Sequence, residues 1–468
     1  MGKRARHTAT GIRRLTICTA LALAGCGPVS DVLGGGARTP HEQYAESLRD
    51  AGLAERVLGA AWLAAADRAL AEPLPVTLPF RETGFFPGEE AGARGYRITA
   101  QRGQRLVIEV ETEADGPARL FVDLFEADEG DQPPWDHIES VDSVATAIRH
   151  IIDRDGVLAL RIQPELLQAI RYTVTIQVEP TLAFPVDAHG TDDIRSAFGV
   201  DRDGGRRVHH GVDIFAPRGT PVIAAAEGRA EAGTNRLGGN VVWQRVAGLG
   251  ALYYAHLDSQ AFDGDRVVRP GDTVGFVGNT GNAVTTPPHL HFGIYARPGG
   301  PVDPFPYLYE PEEAPLAPLA SDVQLGALVR TAARRTVVRE GPDPAAAGVD
   351  TLPGGTVARM TGGAGDWRRI DMPDRRTGFV RVADVSVIGP GAPLRTVELP
   401  AASPVRVRPD STALAMTELS AGARVSVLGS FDDWQLVALT DRVDGTSSRS
   451  GLGPGAPPLP ARGWIRSD

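Results

Sequence analysis

Three short stretches carry most of the chemistry this sequence can offer. His209-His210-Gly211-Val212-Asp213, Tyr253-Tyr254-Ala255-His256-Leu257 and His289-Leu290-His291-Phe292 hold five of the ten histidines in 468 residues. Val212-Asp213-Ile214-Phe215 and Leu290-His291-Phe292 read as strands with alternating side chains. Residues two apart on a strand share a face, so His209, Gly211 and Asp213 point one way, and His289 and His291 point together. That parity selects His209 over His210 as the partner of Asp213. Gly211, with no side chain, leaves room beside whatever the two hold.

Two imidazoles and a carboxylate converging on one point suit zinc, and three protein ligands with one open position is the catalytic pattern. We assign His209, Asp213 and His291 as the Zn2+ ligands, with water as the fourth. Such a metal lowers the pKa of its water towards ~7 and polarises a carbonyl oxygen. His256 and His289 then lie near the metal without a ligand role, and are candidates for proton transfer and for stabilising the tetrahedral intermediate. No His-Glu-x-x-His helix and no Glu at a general-base offset is present.

Taken in this order, the three motifs resemble the lysostaphin-like zinc metallopeptidases, which cut peptide bonds in bacterial peptidoglycan. The resemblance spans about residues 183–305 and includes Ala216-Pro217-Arg218-Gly219-Thr220-Pro221-Val222 and Gly275-Phe276-Val277-Gly278-Asn279-Thr280-Gly281. It implies that His209, Asp213 and His291 hold zinc and that His256 and His289 are catalytic. The loop Asn282-Ala283-Val284-Thr285-Thr286-Pro287-Pro288 is longer than the family's usual approach to His-Leu-His. It lines the groove mouth, so it bears on which bond is cut.

The elements that must position these residues are expected to be strands. The fold class is mainly β and multidomain: a β-sandwich, an antiparallel β metallopeptidase domain with an open groove, and two small SH3-like β-barrels. At 468 residues the chain exceeds one core. Residues 1–25 read as a lipoprotein signal peptide. Lys3, Arg4, Arg6, Arg13 and Arg14 precede the apolar run Leu15–Ala24, too short to span a bilayer, and Leu23-Ala24-Gly25-Cys26 resembles the lipoprotein cleavage box. Lipid on Cys26 would anchor the chain to a bacterial membrane, in the cell envelope, facing the periplasm or the exterior. The one other cysteine, Cys18, is removed with the leader, so no internal disulfide forms.

Residues 26–74 comprise a tether with Gly34-Gly35-Gly36 and one or two short helices from His41 to Leu70, broken near Gly52. The expected apolar stripes are Tyr44 and Leu48, then Leu53, Val57, Ala60 and Ala64. Over 75–182 the period shifts to two, as in Arg105-Leu106-Val107-Ile108-Glu109-Val110, which suggests a sandwich serving as a structural or inhibitory spacer. The peptidase occupies 183–310 and a Pro/Ala-rich linker 311–325.

An internal repeat follows in 326–390 and 391–468. Val338-Arg339, Gly355-Thr356-Val357, Asp366-Trp367 and Gly378-Phe379-Val380 are echoed by Val407-Arg408, Gly422-Ala423-Arg424-Val425, Asp433-Trp434 and Gly463-Trp464-Ile465. The pattern resembles paired bacterial SH3-like modules, with a Gly/Ser/Pro-rich loop, Asp441 to Pro460, inserted in the second. Core packing is favoured over ligand contact for Trp367 and Trp434.

Net charge is −10 with both signs scattered, and no basic stripe suits nucleic acid. The expected partners are peptidoglycan peptides and, through Cys26, a membrane. The competing reading is a catalytically silent wall-binding protein or an activator of another wall hydrolase.

Overall fold

The computed structural model describes residues 38–467 apart from 115, 128–133, 143–144, 203, 390–392 and 440–461. The leader, Cys26, the Gly34–Gly36 tether and the Asp441–Pro460 insertion therefore lie outside the described residues. No helix among the described residues is long and apolar enough to cross a membrane. Strands dominate throughout.

Two helices, α1 (Pro40–Asp50) and α2 (Val57–Ala71), open the described chain, with Gly52 at φ +67° between them. The stripe expected for α2 is wrong. Its buried face is Trp62, Ala65, Ala66 and Ala69, whereas Val57 is 86% exposed and Leu53 44%. Alanine and glycine on every side of this helix make the periodicity degenerate, and the one large ring decides which face docks. Trp62 stacks on His41 at 4.7 Å and meets Phe121 edge-on at 6.2 Å, while its Nε1 donates to Pro164 O. This cluster fixes both helices to the outside of the sandwich.

The sandwich consists of one sheet that includes Arg94–Ala100, Gly156–Pro164 and Leu120–Ala127, and a facing set, Phe80–Phe86, Ile170–Glu179, Arg105–Glu113 and Ala145–Ile151. Ile98, Leu124, Leu158 and Leu160 from the first meet Ile108, Val174 and Ile176 from the second in one core.

The repeat is present as two copies of one topology. Strands 335–339, 348–353, 357–364, 367–371 and 377–381 correspond in order and pairing to 403–406, 415–419, 424–431, 434–438 and 462–466. Both copies carry register shifts at matching places, Met360/Gly362 and Val427/Gly429. Trp367 is 4% exposed and packs into the sandwich core under Arg381, so it offers no free face to a ligand.

The first copy does not hang from the sandwich by a tether. Thr83 and Gly84 pair with Gly363 and Gly362, merging the two into an 11-stranded sheet. Beneath this seam Arg369 Nε meets Glu82 Oε1 at 2.8 Å, with both side chains fully buried. The Pro/Ala-rich segment before it is also pinned: Arg171 donates to Leu319 O and Ala320 O, and Leu319 N to Thr83 Oγ1.

The histidine motifs belong to a separate 8-stranded antiparallel sheet. Ile194–Ser196, Val212–Phe215, His289–Ala296, Gly250–Leu257, Gly239–Val246, Gly228–Asn235 and Asp265–Val268 follow one another across it, and Gly300–Val302 also pairs with His289–Ala296. One face buries Val212, Ile214, Leu290, Phe292, Tyr254 and Val242. The other face bears the site.

Candidate metal centre

Antiparallel pairing places Asp213 and Ala255 on either side of His291 in one row across the sheet. The apolar residues alternating with them, Ile214, Leu290, Phe292 and Tyr254, hold that row from beneath. His289 opposes Phe215, whose ring stacks on it at 5.1 Å. His289 and His291 thus share the outward face, as alternation requires.

His209 reaches the same point by a different route from the one expected. The strand begins at Val212, so His209 and Gly211 precede it and strand parity does not govern them. The chain instead crosses close over His289–Ala296. A Cβ on Gly211 would lie 2.4 Å from Phe292 O and 2.8 Å from the His291 ring, so glycine is required here by contact distance. His209 Nδ1 bonds Ala197 O at 2.7 Å, which directs Nε2 towards the centre.

His256 is placed by a defect in the sheet. Regular alternation would turn it inward beside Tyr254. The ladder to Gly239–Val246 slips between Asn240 and Val242, and His256 takes φ +63°. This bulge rotates one extra residue onto the outer face, where the His256 ring lies 5.1 Å from His289 and 5.9 Å from His291. A non-glycine residue held in this region stores about 1–3 kcal/mol of strain, a cost often found at functional sites.

Three side-chain atoms converge. His209 Nε2, Asp213 Oδ1 and His291 Nδ1 each lie 3.0 Å from the other two. Ligands ~2.0–2.2 Å from a tetrahedral zinc stand roughly 3.3 Å apart, so this triangle would need to widen only slightly to hold one. The donor set, two nitrogens and a carboxylate oxygen, fits the metal. Burial pushes the Asp213 carboxyl up, but hydrogen bonds from His209 and His291 outweigh it and hold the group well below the usual carboxylate range. Asp213 therefore presents a charged oxygen to a cation. Burial lowers the pKa of His291, which favours the neutral imidazole that ligation requires.

His256 and His289 stand beside the triangle with their Nδ1 atoms committed to backbone carbonyls, Thr280 O and Pro287 O, both at 2.9 Å. Their Nε2 atoms are thereby left for the reaction face. Burial, with His289 and His291 nearby, lowers the pKa of His256 to about 4. His210, in contrast, is exposed.

Sequence reasoning missed two sets of residues around this centre. Arg202 Nη2 donates to Asp213 Oδ2 and Ser196 Oγ, both at 2.6 Å. No motif marks an arginine seven residues before a ligand. The second set is an aromatic patch on the outer face: Trp243 lies 4.3 Å from Tyr253 and 5.2 Å from Tyr295, and Tyr253 meets His291 at 6.0 Å. Strand alternation could have found it, because Trp243 and Tyr253 are register partners two residues along the strand from the Asp213–His291–Ala255 row, and so on the same face. The long loop before His289 is gathered by Asn279, whose Nδ2 donates to Val284 O and Thr286 O, leaving Val284 64% exposed.

A His–Asp–His triangle on an antiparallel sheet, flanked by two further histidines, is a donor set that fits a metal-dependent hydrolase. Residues 207–304 match the model of Peptidase family M23. An L-Ala–D-Glu endopeptidase of Bacillus subtilis is 38% identical over 138 residues, covering 27% of this chain and 42% of the relative. The DD-carboxypeptidase/endopeptidase Mpg of Neisseria meningitidis is 42% identical over 119 residues, 24% of this chain and 26% of the relative. The chain thus spans less than half the length of these relatives. The catalytic domain of lysostaphin from Staphylococcus simulans is 31% identical, with 25% of this chain and 93% of that one covered at a TM-score of 0.23.

Proposed function

We propose that this chain is a zinc endopeptidase that hydrolyses peptide bonds in peptidoglycan cross-links. The observation that carries the reading is the triangle of His209 Nε2, Asp213 Oδ1 and His291 Nδ1, each 3.0 Å from the next, with two more buried imidazoles beside it. A similar protein of Vibrio cholerae named as a peptidoglycan DD-endopeptidase supports the substrate class.

His209, Asp213 and His291 would hold the zinc. When bound, the metal supplies a Lewis acid that acidifies a water and polarises a carbonyl. The protein's own contribution is orientation and proton handling. His256 is neutral at physiological pH, and its Nε2 is free to take a proton. His289, its Nδ1–H donating to Pro287 O and its ring stacked on Phe215, holds Nε2 4.0 Å from Asp213 Oδ1; as the imidazolium it would donate from Nε2 to a developing oxyanion. The sheet beneath excludes water from one side, so a substrate approaches from the outer face.

The lipobox Leu23-Ala24-Gly25-Cys26 supports a lipid anchor on Cys26, which would hold the enzyme at a membrane of the cell envelope. The duplicated C-terminal modules suit wall contact through a surface other than Trp367.

Zinc content and cleavage of cross-linked wall peptides, measured on four variants of the full chain, test the assignment. His291→Ala should lose metal and activity together. His289→Ala and His256→Ala should keep zinc and lose about 10²–10⁴-fold in rate. His210→Ala should be mild. Loss of zinc in His289→Ala or His256→Ala with retention in His291→Ala would refute the ligand set, and no cleavage by the zinc-loaded native chain would favour a silent wall-binding role.

A further inference from the structure

The segment between the edge strand Ile194–Ser196 and His209 backs both of the first two proposed ligands. Ser196 opposes Asp213 across the ladder. Its Oγ is 3.4 Å from His209 Nδ1, which bonds the next carbonyl, Ala197 O, at 2.7 Å. Arg202 closes the arrangement. It lies on the short strand Asp201–Arg202, paired to Arg207–Val208, and its side chain is 35% exposed. Nη2 is shared between Asp213 Oδ2 and Ser196 Oγ at 2.6 Å each.

We propose that Arg202 is a positioning residue for the metal centre, holding Asp213 to a single metal-facing oxygen. The inference rests on the zinc reading given above. A carboxylate can bind a cation through one oxygen or both. With Oδ2 engaged by a charged donor, swinging that oxygen towards a metal would break a charge-assisted hydrogen bond, among the strongest kinds available. Oδ1 is then the one oxygen in the triangle, and the fourth tetrahedral position stays open for water. Ser196 adds the second constraint. Because Nη2 bonds Oδ2 and Ser196 Oγ together, the carboxylate plane is tied to the edge strand, and through Ala197 the same segment ties down the His209 ring.

The alternative role is a counter-ion that neutralises Asp213 when no metal is present. The two roles predict opposite results. An arginine that positions the ligand strengthens zinc binding. One that stands in for the cation competes with it.

Zinc dissociation constants of the full chain, read by chelator competition, separate them for the native protein, Arg202→Gln, Arg202→Lys and Ser196→Ala. Circular dichroism confirms that each variant is folded. Removing an outer partner of a metal ligand typically weakens metal binding about 10–100-fold, and Arg202→Gln should lose zinc affinity within that range. Arg202→Lys, which keeps a donor for Oδ2, should recover part of it, and Ser196→Ala should show a smaller loss of the same sign. Cobalt(II) in place of zinc gives a second readout. Arg202→Gln should weaken the visible absorption of the four-coordinate site as the carboxylate turns to bind through both oxygens.

Unchanged or tighter zinc binding by Arg202→Gln would overturn the proposal, as would an equal loss in the Gln and Lys variants. A native chain that binds no zinc would instead refute the metal reading itself, so the two failures are distinct.

Discussion

Replacing Arg369 by Met should loosen the seam between the sandwich and the first C-terminal module without touching the metal centre. Arg369 and Glu82 are both 0% exposed, and Nε and Oε1 are 2.8 Å apart. Tyr96 OH donates to Glu82 Oε2 at 2.7 Å, and Arg369 Nη2 donates to Thr361 O at 3.0 Å. Desolvation works against the buried guanidinium, but Glu82 more than offsets it, so the cation is held firmly charged. Removing the cation leaves a carboxylate in a dry interior, with only Tyr96 to compensate. Breaking a buried pair from one side costs about 3–5 kcal/mol. That corresponds to amide exchange faster by roughly 10²–10⁴-fold wherever opening of the seam limits exchange.

Hydrogen exchange of amides in Phe80–Phe86 and Val357–Ala364 is the direct measurement, because those strands form the seam. The double variant Glu82→Leu, Arg369→Met should recover most of the loss, since replacing a buried pair with apolar groups is often neutral or favourable. Additivity of the two single effects within about 0.5 kcal/mol would show that the residues do not couple. The buried pair would then not be what holds the modules together. Zinc content should be unchanged in all three variants.

Gly211→Ala should cost zinc binding and activity, because its new methyl would lie 2.8 Å from the His291 ring and 2.4 Å from Phe292 O; native zinc stoichiometry and rate in the purified variant would refute this. His41 should titrate near 4 by NMR, chiefly because burial and then Arg161 disfavour its charged form. The sign follows from its folded pKa lying below the unfolded 6.5. Its contribution is complete above about pH 6.5 and is lost as pH falls towards 4, loosening the helix–sandwich contact by on the order of 3 kcal/mol. An observed pKa near 6.5 would remove that window. Trp243→Ala should leave zinc unchanged and raise KM roughly fivefold, the loss of about 1 kcal/mol of aromatic contact, and a kcat defect with KM intact would place the ring elsewhere in the reaction.

The sequence by itself picked out the donor residues and determined much of the local geometry. The motif order around His209, His256 and His291 was enough to point to the kind of peptidase whose family model residues 207–304 match. Alternation in His289–Phe292 was enough to put two histidines on one face, because strand parity is a property of adjacent residues alone. Gly52 between two helices and the echoed Asp366-Trp367 and Asp433-Trp434 motifs were also legible, for the same local reason.

What the tertiary structure decided is non-local. His256 faces the site through a bulge against Gly239–Val246, and the parity of its own strand would have turned it inward. His209 arrives by a crossing over Phe292 that Gly211 permits, outside any strand. Arg202 reaches Asp213 only because the edge strand Ile194–Ser196 folds back beside it. Among the alanines of α2, the buried face was chosen by where Trp62 could find His41 and Phe121. The fusion of the first repeat to the sandwich rests on Thr83, Gly84 and Glu82 meeting partners nearly three hundred residues away. Local periodicity says which side of an element is apolar. Which elements meet, and in what register, is settled only when distant surfaces compete for one another.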